Sequence, residues 1–383
     1  MQQVEKLMHL IAVIPQGLEE EGGKEFAALG AKSIKLLRRS VAFQADIACL
    51  YRVYLRARLP FRVLREISRF KCNSPETLFR LVQEAFDWER WLHPSKSFRV
   101  DVSGSCVGLS HTHFSALQVK NALVDLQRDI WGHRSKIDLK TPDICLHLHL
   151  SDYESVLSLD GSIGSLHRRG NRPAMGLAPL KENLAAGLIA LTQWDRSVPL
   201  VDPLCGSGTF LIEAANAALG SFQESHRKLI LKNWADFDNN IWEKELHSAK
   251  NFSNLSSQKP LPLILGFEKD KEIANQAKTN ILYSNLQDVI NIRTGSFQNM
   301  QLPSQKGIVI CNPPYGLRIG CEEDLAALYR DLGLFLKSKA SGWQLWLLSG
   351  NPQLTKFLGM KANRRFQVNN GGIDCRWIQY LIH

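Results

Sequence analysis

The chain has 383 residues, of which 44% are hydrophobic and 22% charged, with a net charge of +10. This composition excludes a disordered or fibrous protein and leaves room for two or three domains of about 100–200 residues each. No apolar run approaches the roughly 18 residues of a membrane span. The first 21 residues gain acids too early, and lack the small-residue cleavage site, for a signal peptide.

The basic surplus is concentrated. Between residues 32 and 80, twelve Lys/Arg face three acids, a surplus of nine. Such a cluster attracts phosphate, although the same cations could equally solvate helix faces. Arg52, Arg56, Arg62, Arg65 and Arg69 are its candidate nucleic-acid contacts. The eight cysteines form no C-x-x-C pair. They suit a reducing, cytoplasmic setting better than a disulfide framework. His111-x-His113 and His147-x-His149 have no complementary pair elsewhere, so no metal is expected.

In chain order, His9–Pro15 reads as a buried strand and residues 17–31 as a helix ended by Gly30. Residues 33–46 are strand-like, and Ile47–Leu59 is a helix stopped by Pro60. A second unit follows. It has a strand over Phe61–Phe70, a helix over Ser74–Phe86 with Pro75 in its first turn, and a strand over Phe98–Ser103. It continues with an amphipathic helix over His113–Ile130, then paired strands Ile144–Leu150 and Ser155–Asp160. Glycines and a proline between Gly161 and Gly176 mark a boundary.

Beyond it, helices alternate with short apolar strands. The expected helices are Leu180–Leu191, Thr209–Leu219 and Lys271–Ser284. The expected strands are Val198–Val201, Pro262–Phe267, Val289–Arg293, Gly307–Ile310 and Gln344–Ser349, with a closing hairpin over Arg365–Ile382. This alternation argues a doubly wound, mostly parallel α/β sheet. The expected division is 1–60, 61–165 and 166–383.

Three motifs carry chemistry. The first, Asp202-Pro-Leu-Cys205-Gly206-Ser-Gly208-Thr209, follows a strand and opens a helix. Its glycines let the backbone approach a ligand closely. No third glycine completes the dinucleotide fingerprint, so S-adenosylmethionine is the better candidate. Asp202, Cys205, Gly206, Gly208 and Thr209 are therefore candidate cofactor residues. The second is Glu268, an acid at the end of the next strand, placed to accept ribose hydroxyls. Asp270 is the fallback. The third is Asn312-Pro313-Pro314-Tyr315, at the end of a buried strand, whose Asn312 is also a candidate cofactor contact. The Asn312 carboxamide oxygen and the Pro313 carbonyl could each accept a hydrogen bond from one amino group and aim its lone pair at a methyl donor. Pro314 stiffens the corner, and Tyr315 offers a flat face to an extruded base.

At these residues the sequence resembles the amino-methyltransferases with an N-P-P-Y motif, and more closely the THUMP-containing RNA guanine-N2 methyltransferases. The matching stretches are PDICLHLHL (142–150), LSLDGS (157–162), SLHRRGNR (165–172), APLKENLAA (178–186), DPLCGSGTF (202–210) and NPPYGLRIG (312–320). Within that family the likeness is greatest to the N-terminal half of bacterial enzymes that form N2-methylguanosine in 23S rRNA. The resemblance implies a ferredoxin-like segment, a THUMP RNA-binding domain and a Rossmann-like methyltransferase domain using S-adenosylmethionine. It adds Arg168, Arg169 and Arg172 to the RNA-binding candidates and places Lys181–Glu182–Asn183 near the methionine end of the cofactor. Many relatives have an acid that contacts adenine where this chain has Ser296, so Ser296 or the Phe297 backbone takes that place. The expected partner is 23S rRNA, with tRNA as the alternative substrate. A DNA adenine-N6 methyltransferase and a non-catalytic RNA-binding assembly factor are the readings of other classes. No membrane association is expected.

Overall fold

The computed structural model describes residues 7–152, 154–169, 180–222, 227–316 and 322–383. Two seven-stranded sheets organise them. In the first half, β1 (Met8–Val13), α1 (Glu19–Ala28), β2 (Lys32–Leu37), β3 (Ser40–Ala45) and α2 (Ile47–Arg56) give the expected β-α-β-β-α order. Three glutamates occupy the first turn of α1, at the positive end of its dipole. Asp46 caps α2 by accepting the Cys49 amide at 2.6 Å.

Then come β4 (Arg62–Phe70), α3 (Pro75–Glu84), α4 (Trp88–Trp91), β5 (Phe98–Gly104), α5 (Thr112–Trp131), β6 (Ile144–Leu150) and β7 (Ser155–Asp160). Ser74 Oγ caps α3 through the Thr77 amide at 3.2 Å. The sheet order is β2-β3-β1-β4-β7-β6-β5. Only β5 and β6 run parallel in it, and the crossover between them is α5, because a parallel pair cannot be joined by a tight turn. Strand β4 pairs with β1 on one side and β7 on the other, so the two N-terminal segments share one sheet.

The second half holds α6 (Glu182–Leu191), β8 (Leu200–Asp202), α7 (Thr209–Ala218), α8 (Asn239–Ser257), β9 (Ile264–Glu268) and α9 (Lys271–Tyr283). It continues with β10 (Ile290–Thr294), β11 (Ile308–Cys311), α10 (Glu322–Lys339), β12 (Gln344–Ser349), α11 (Pro352–Lys356), β13 (Ala362–Asn370) and β14 (Ile373–Leu381). Its order is β10-β9-β8-β11-β12-β14-β13, parallel except at β14. Connections go one way from β8 to β10 and the other way from β11 onward. The carboxyl ends of β8 and β11 therefore flank the crevice where ligands bind in open α/β sheets.

Sequence reading did not place α8 or α10. Their inward stripes, Trp242, Leu246 and Ala249 in one and Leu325, Tyr329, Leu332 and Leu336 in the other, have helical spacing. The surrounding Asn, Ser and charged residues mask it. Helix α2 ends at Arg56, three residues before the expected Leu59, because Ala57 turns extended. The freed carbonyls have partners. Buried Arg227 donates to Tyr54 O and Ala57 O, Arg169 donates to Arg58 O at 2.6 Å, and Asn183 donates to Leu59 O at 3.0 Å. This strip of backbone joins the N-terminal sheet to the catalytic half.

Among the described residues no helix is long and apolar enough to cross a membrane.

Candidate active site

The glycine loop leaves β8 at Asp202, which is 2% exposed and accepts the Leu204 amide at 3.1 Å. Loss of water pushes its carboxyl up to about 8, and neighbouring Glu268 pushes the same way. Gly208 caps α7 with φ +84, a conformation that a side chain would strain. Thr209 begins that helix and is buried. Cys205 is also buried; its amide donates to Phe267 O at 2.9 Å, pinning the loop to β9, and its thiol is held well above its usual range by burial.

Glu268 sits at the carboxyl end of β9. One oxygen accepts the Gly206 amide at 3.2 Å and the other the Asp270 amide at 3.0 Å. The first two motifs are thus brought into direct contact, and each carboxylate oxygen keeps a second lone pair for a ribose hydroxyl. Asp270 caps α9 through the Glu272 and Ile273 amides, so its side chain is occupied there.

A cavity of about 290 Å³ opens beside this loop, lined by Leu204, Lys269, Ser296, Phe297, Gln298 and Asp331 among others. The Ser296 hydroxyl accepts the Gln298 amide at 3.3 Å and donates to Gln298 Oε1 at 3.1 Å. Gln298 Nε2 in turn donates to Asp331 at 3.1 Å. Carboxylates therefore do line this cavity, but both, Asp324 and Asp331, come from α10, far along the chain, where no local motif could announce them.

Strand β11 pairs with β8 through Ile308–Leu200 and Val309–Val201, which places Asn312 beside the glycine loop. Asn312 Oδ1 is buried and accepts no hydrogen bond from any described residue. A buried acceptor without a donor is costly and points to a ligand donor. Pro313 is buried and Pro314 half-buried. The Tyr315 hydroxyl accepts Asn370 Nδ2 at 2.9 Å, and its ring lies close to Gly350. The partner at the end of β13 escaped the sequence reading, because nothing local marks Asn370. Residues 317–320 of the third motif lie outside the described residues.

The proposed RNA-binding arginines fare differently. Arg169 is corrected outright. It is 1% exposed and pairs with equally buried Glu213 at 2.6 Å, so it cannot reach a phosphate. Arg65 makes two bonds to Asp236, at 2.9 and 2.7 Å, and lies over the rings of Trp91 and Trp234. Arg62 pairs with Asp101 and Asp160, Arg52 with Glu245, and Arg69 with Glu66 and Glu154. Arg56 packs its guanidinium 4.2 Å above the Phe252 ring. Half of the twelve cations of this stretch are thus engaged in ion pairs with described acids, several of them distant in sequence. Arg168 is exposed, and Arg172 lies outside the described residues. Asn183 is fully buried and clamps Leu59 O, as described above.

A parallel sheet with one reversed strand, a glycine loop, an acid on the next strand and an orphaned carboxamide at the fourth define a Rossmann-like methyltransferase. Comparison with known proteins narrows this. Residues 169–379 match the RMKL-like methyltransferase domain, 72–160 the THUMP domain and 9–64 the RlmL ferredoxin-like domain. The chain belongs to the RMKL-like methyltransferase family, and the expected order of ferredoxin-like, THUMP and Rossmann-like parts holds. It is 41% identical to the protein named "Putative RNA methyltransferase slr0064" of Synechocystis sp., over 97% of this chain and 96% of that one. It is 38% identical to the ribosomal RNA large subunit methyltransferase K/L of Ectopseudomonas mendocina, over 96% of this chain. The chain spans about half the length of such K/L relatives, 52% in that case. The solved structure described as "SMU.472, a putative methyltransferase complexed with SAH" superposes with a TM-score of 0.89 at 25% identity, covering 99% of both chains.

Proposed function

We propose that this chain methylates the exocyclic N2 of a guanine in 23S rRNA, using S-adenosylmethionine as the methyl donor. The observation that carries the reading is the buried Asn312 Oδ1 at the carboxyl end of β11, which has no hydrogen-bond partner among the described residues. Family membership supports the methyl donor, the THUMP segment supports RNA, and the names of the K/L relatives support the large-subunit substrate.

The residues present fit the donor. The Gly206–Gly208 loop permits close backbone approach, Glu268 offers carboxylate oxygens to ribose hydroxyls, and the 290 Å³ cavity beside Ser296 and Phe297 has room for a base. When bound, S-adenosylmethionine supplies an electrophilic methyl on a sulfonium sulfur. Asn312 Oδ1 and the Pro313 carbonyl accept the two amino hydrogens of guanine, holding the nitrogen lone pair out of conjugation and in line for attack. Neither group is a base, so the proton displaced from the nitrogen passes to water after transfer. Tyr315, tethered by Asn370, supports the extruded ring. We place this activity in the cytoplasm and divide the chain at 1–60, 61–165 and 166–383.

The test is methyl transfer by the purified full chain to 23S rRNA, 16S rRNA, tRNA and DNA, read by nucleoside mass spectrometry. N2-methylguanosine in 23S rRNA is the expected product. The same nucleoside in tRNA alone would reassign the substrate, and N6-methyladenine in DNA would overturn the reading.

A further inference from the structure

A second cavity, of about 240 Å³, lies where the N-terminal sheet meets the catalytic half. The residues that matter on its walls are Gln16, Arg39, Phe61, Lys181, Asn369 and Gly372. Lys181, which the family resemblance sets near the methionine end of the cofactor, lines this cavity and not the one beside the glycine loop.

Its chemistry is one-sided. Arg39 reaches it from the β2–β3 turn and Lys181 from the cap of α6. Lys181 Nζ lies 5.2 Å from the centre of the Phe61 ring, a contact that aims the ammonium without neutralising it. No carboxylate is among its described lining residues, and neither side-chain cation has an ion pair among the described residues; the nearby Glu19 carboxylate is taken up by the Arg39 amide at 2.9 Å and the Gly17 amide at 2.8 Å. Arg39 thus contrasts with Arg52, Arg62, Arg65 and Arg69 of the same basic stretch, each held by an acid. It is exposed, and its φ of +59 is unusual for a residue with a side chain.

The walls are fixed against each other. A Cβ on Gly17 would meet Gln367 O at 2.0 Å, so the β1–α1 loop lies directly on β13. The Asn369 amide donates to Gln16 O across the same seam at 3.3 Å. The wall also connects to the reacting corner, because Asn370, next to Asn369, holds the Tyr315 hydroxyl.

We propose that this cavity is a phosphate subsite, binding the backbone phosphate of a nucleotide that flanks the methylated base. Two cations on the walls of a preformed recess whose described lining residues include no carboxylate suit a phosphate diester, and the Asn370–Tyr315 bond ties one wall of that recess to the reacting corner. The inference rests on the RNA substrate proposed above.

The experiment compares wild type with Arg39→Glu, Arg39→Gln and Arg39→Lys in the full chain. Binding to a 23S rRNA transcript is measured by filter retention across a series of KCl concentrations, alongside S-adenosylhomocysteine affinity and methyl transfer. Arg39→Glu and Arg39→Gln are expected to bind the transcript about tenfold more weakly or worse. Their plots of log affinity against log salt should be shallower by about 0.7–0.9, the loss of one phosphate contact. Arg39→Lys should stay near wild type, and all three should keep wild-type affinity for S-adenosylhomocysteine. Wild-type affinity and salt slope in Arg39→Gln would overturn the subsite while leaving methyl transfer intact. A wild type that binds the transcript but does not methylate it would instead overturn the proposed reaction, and the binding arms would still decide the subsite. A wild type that does not bind the transcript would overturn both.

Discussion

Arg169 and Glu213 meet at 2.6 Å with both side chains 1% exposed, and Arg58 joins the same carboxylate oxygen at 2.6 Å. One carboxylate on α7, the helix that opens from the glycine loop, therefore holds two guanidinium groups, one on each side of the seam between halves. Glu213→Ala would strand Arg169 in a site closed to water and deprive the partly exposed Arg58 of its acid. The expected loss is about 3–5 kcal/mol of unfolding free energy, the cost typical of breaking a buried ion pair from one side. Urea titration measures it. A midpoint within experimental error of wild type would show that the seam does not depend on this cluster.

Asn312→Ala removes the acceptor but little volume. We expect kcat to fall by about 10²–10³-fold, the scale seen when one positioned polar group at a reacting atom is deleted. Calorimetry should give unchanged affinity for S-adenosylhomocysteine. Wild-type turnover by this variant would remove Asn312 from the reaction.

Asp202 predicts a pH signature. Unfolded, its carboxyl titrates near 3.8; folded, near 8. Between those values the unfolded chain holds fewer protons at this position than the folded one, so its contribution to stability is complete below about 3.8 and declines as pH rises towards 8. Asp202→Asn removes that decline. The melting temperature of the cofactor-free variant should match wild type near pH 4 and exceed it increasingly up to pH 8. A difference that stays flat with pH would show that Asp202 is not held protonated.

Arg65→Ala should separate folding from RNA recognition. The substitution leaves Asp236 without its two-pronged partner and empties the space over Trp91 and Trp234. We expect a loss of about 2–4 kcal/mol in stability. The salt dependence of RNA binding should not move, because this guanidinium faces inward. A shallower salt slope at preserved stability would restore Arg65 to the RNA-facing set.

Much of the fold could be read in advance because its signals are local. Alternation revealed β4, Ser74-Pro75 announced α3, and the glycine loop placed the β8–α7 turn. The three chemical motifs were also local, and the structure brings Gly206 and Glu268 into contact. What escaped depends on partners distant in sequence. Twelve cations in a row of residues look like a nucleic-acid surface until Asp236, Glu245 and Glu213, all more than 150 residues away, close on Arg65, Arg52 and Arg58. Asn370 and Asp331 line the site from elements with no motif of their own. Helices α8 and α10 were hidden because polar residues outnumber their narrow inward stripes.

The shared N-terminal sheet sets limits on anyone who would cut or recombine this molecule. With β4 zipped to β1 on one flank and β7 on the other, a break at 60/61 would strip a long edge from each piece. Bare edges of that kind invite pairing with other chains. The ferredoxin-like and THUMP segments are therefore best exchanged or deleted as one cassette. A chimera that swaps only one of them should aggregate before its specificity can be asked about.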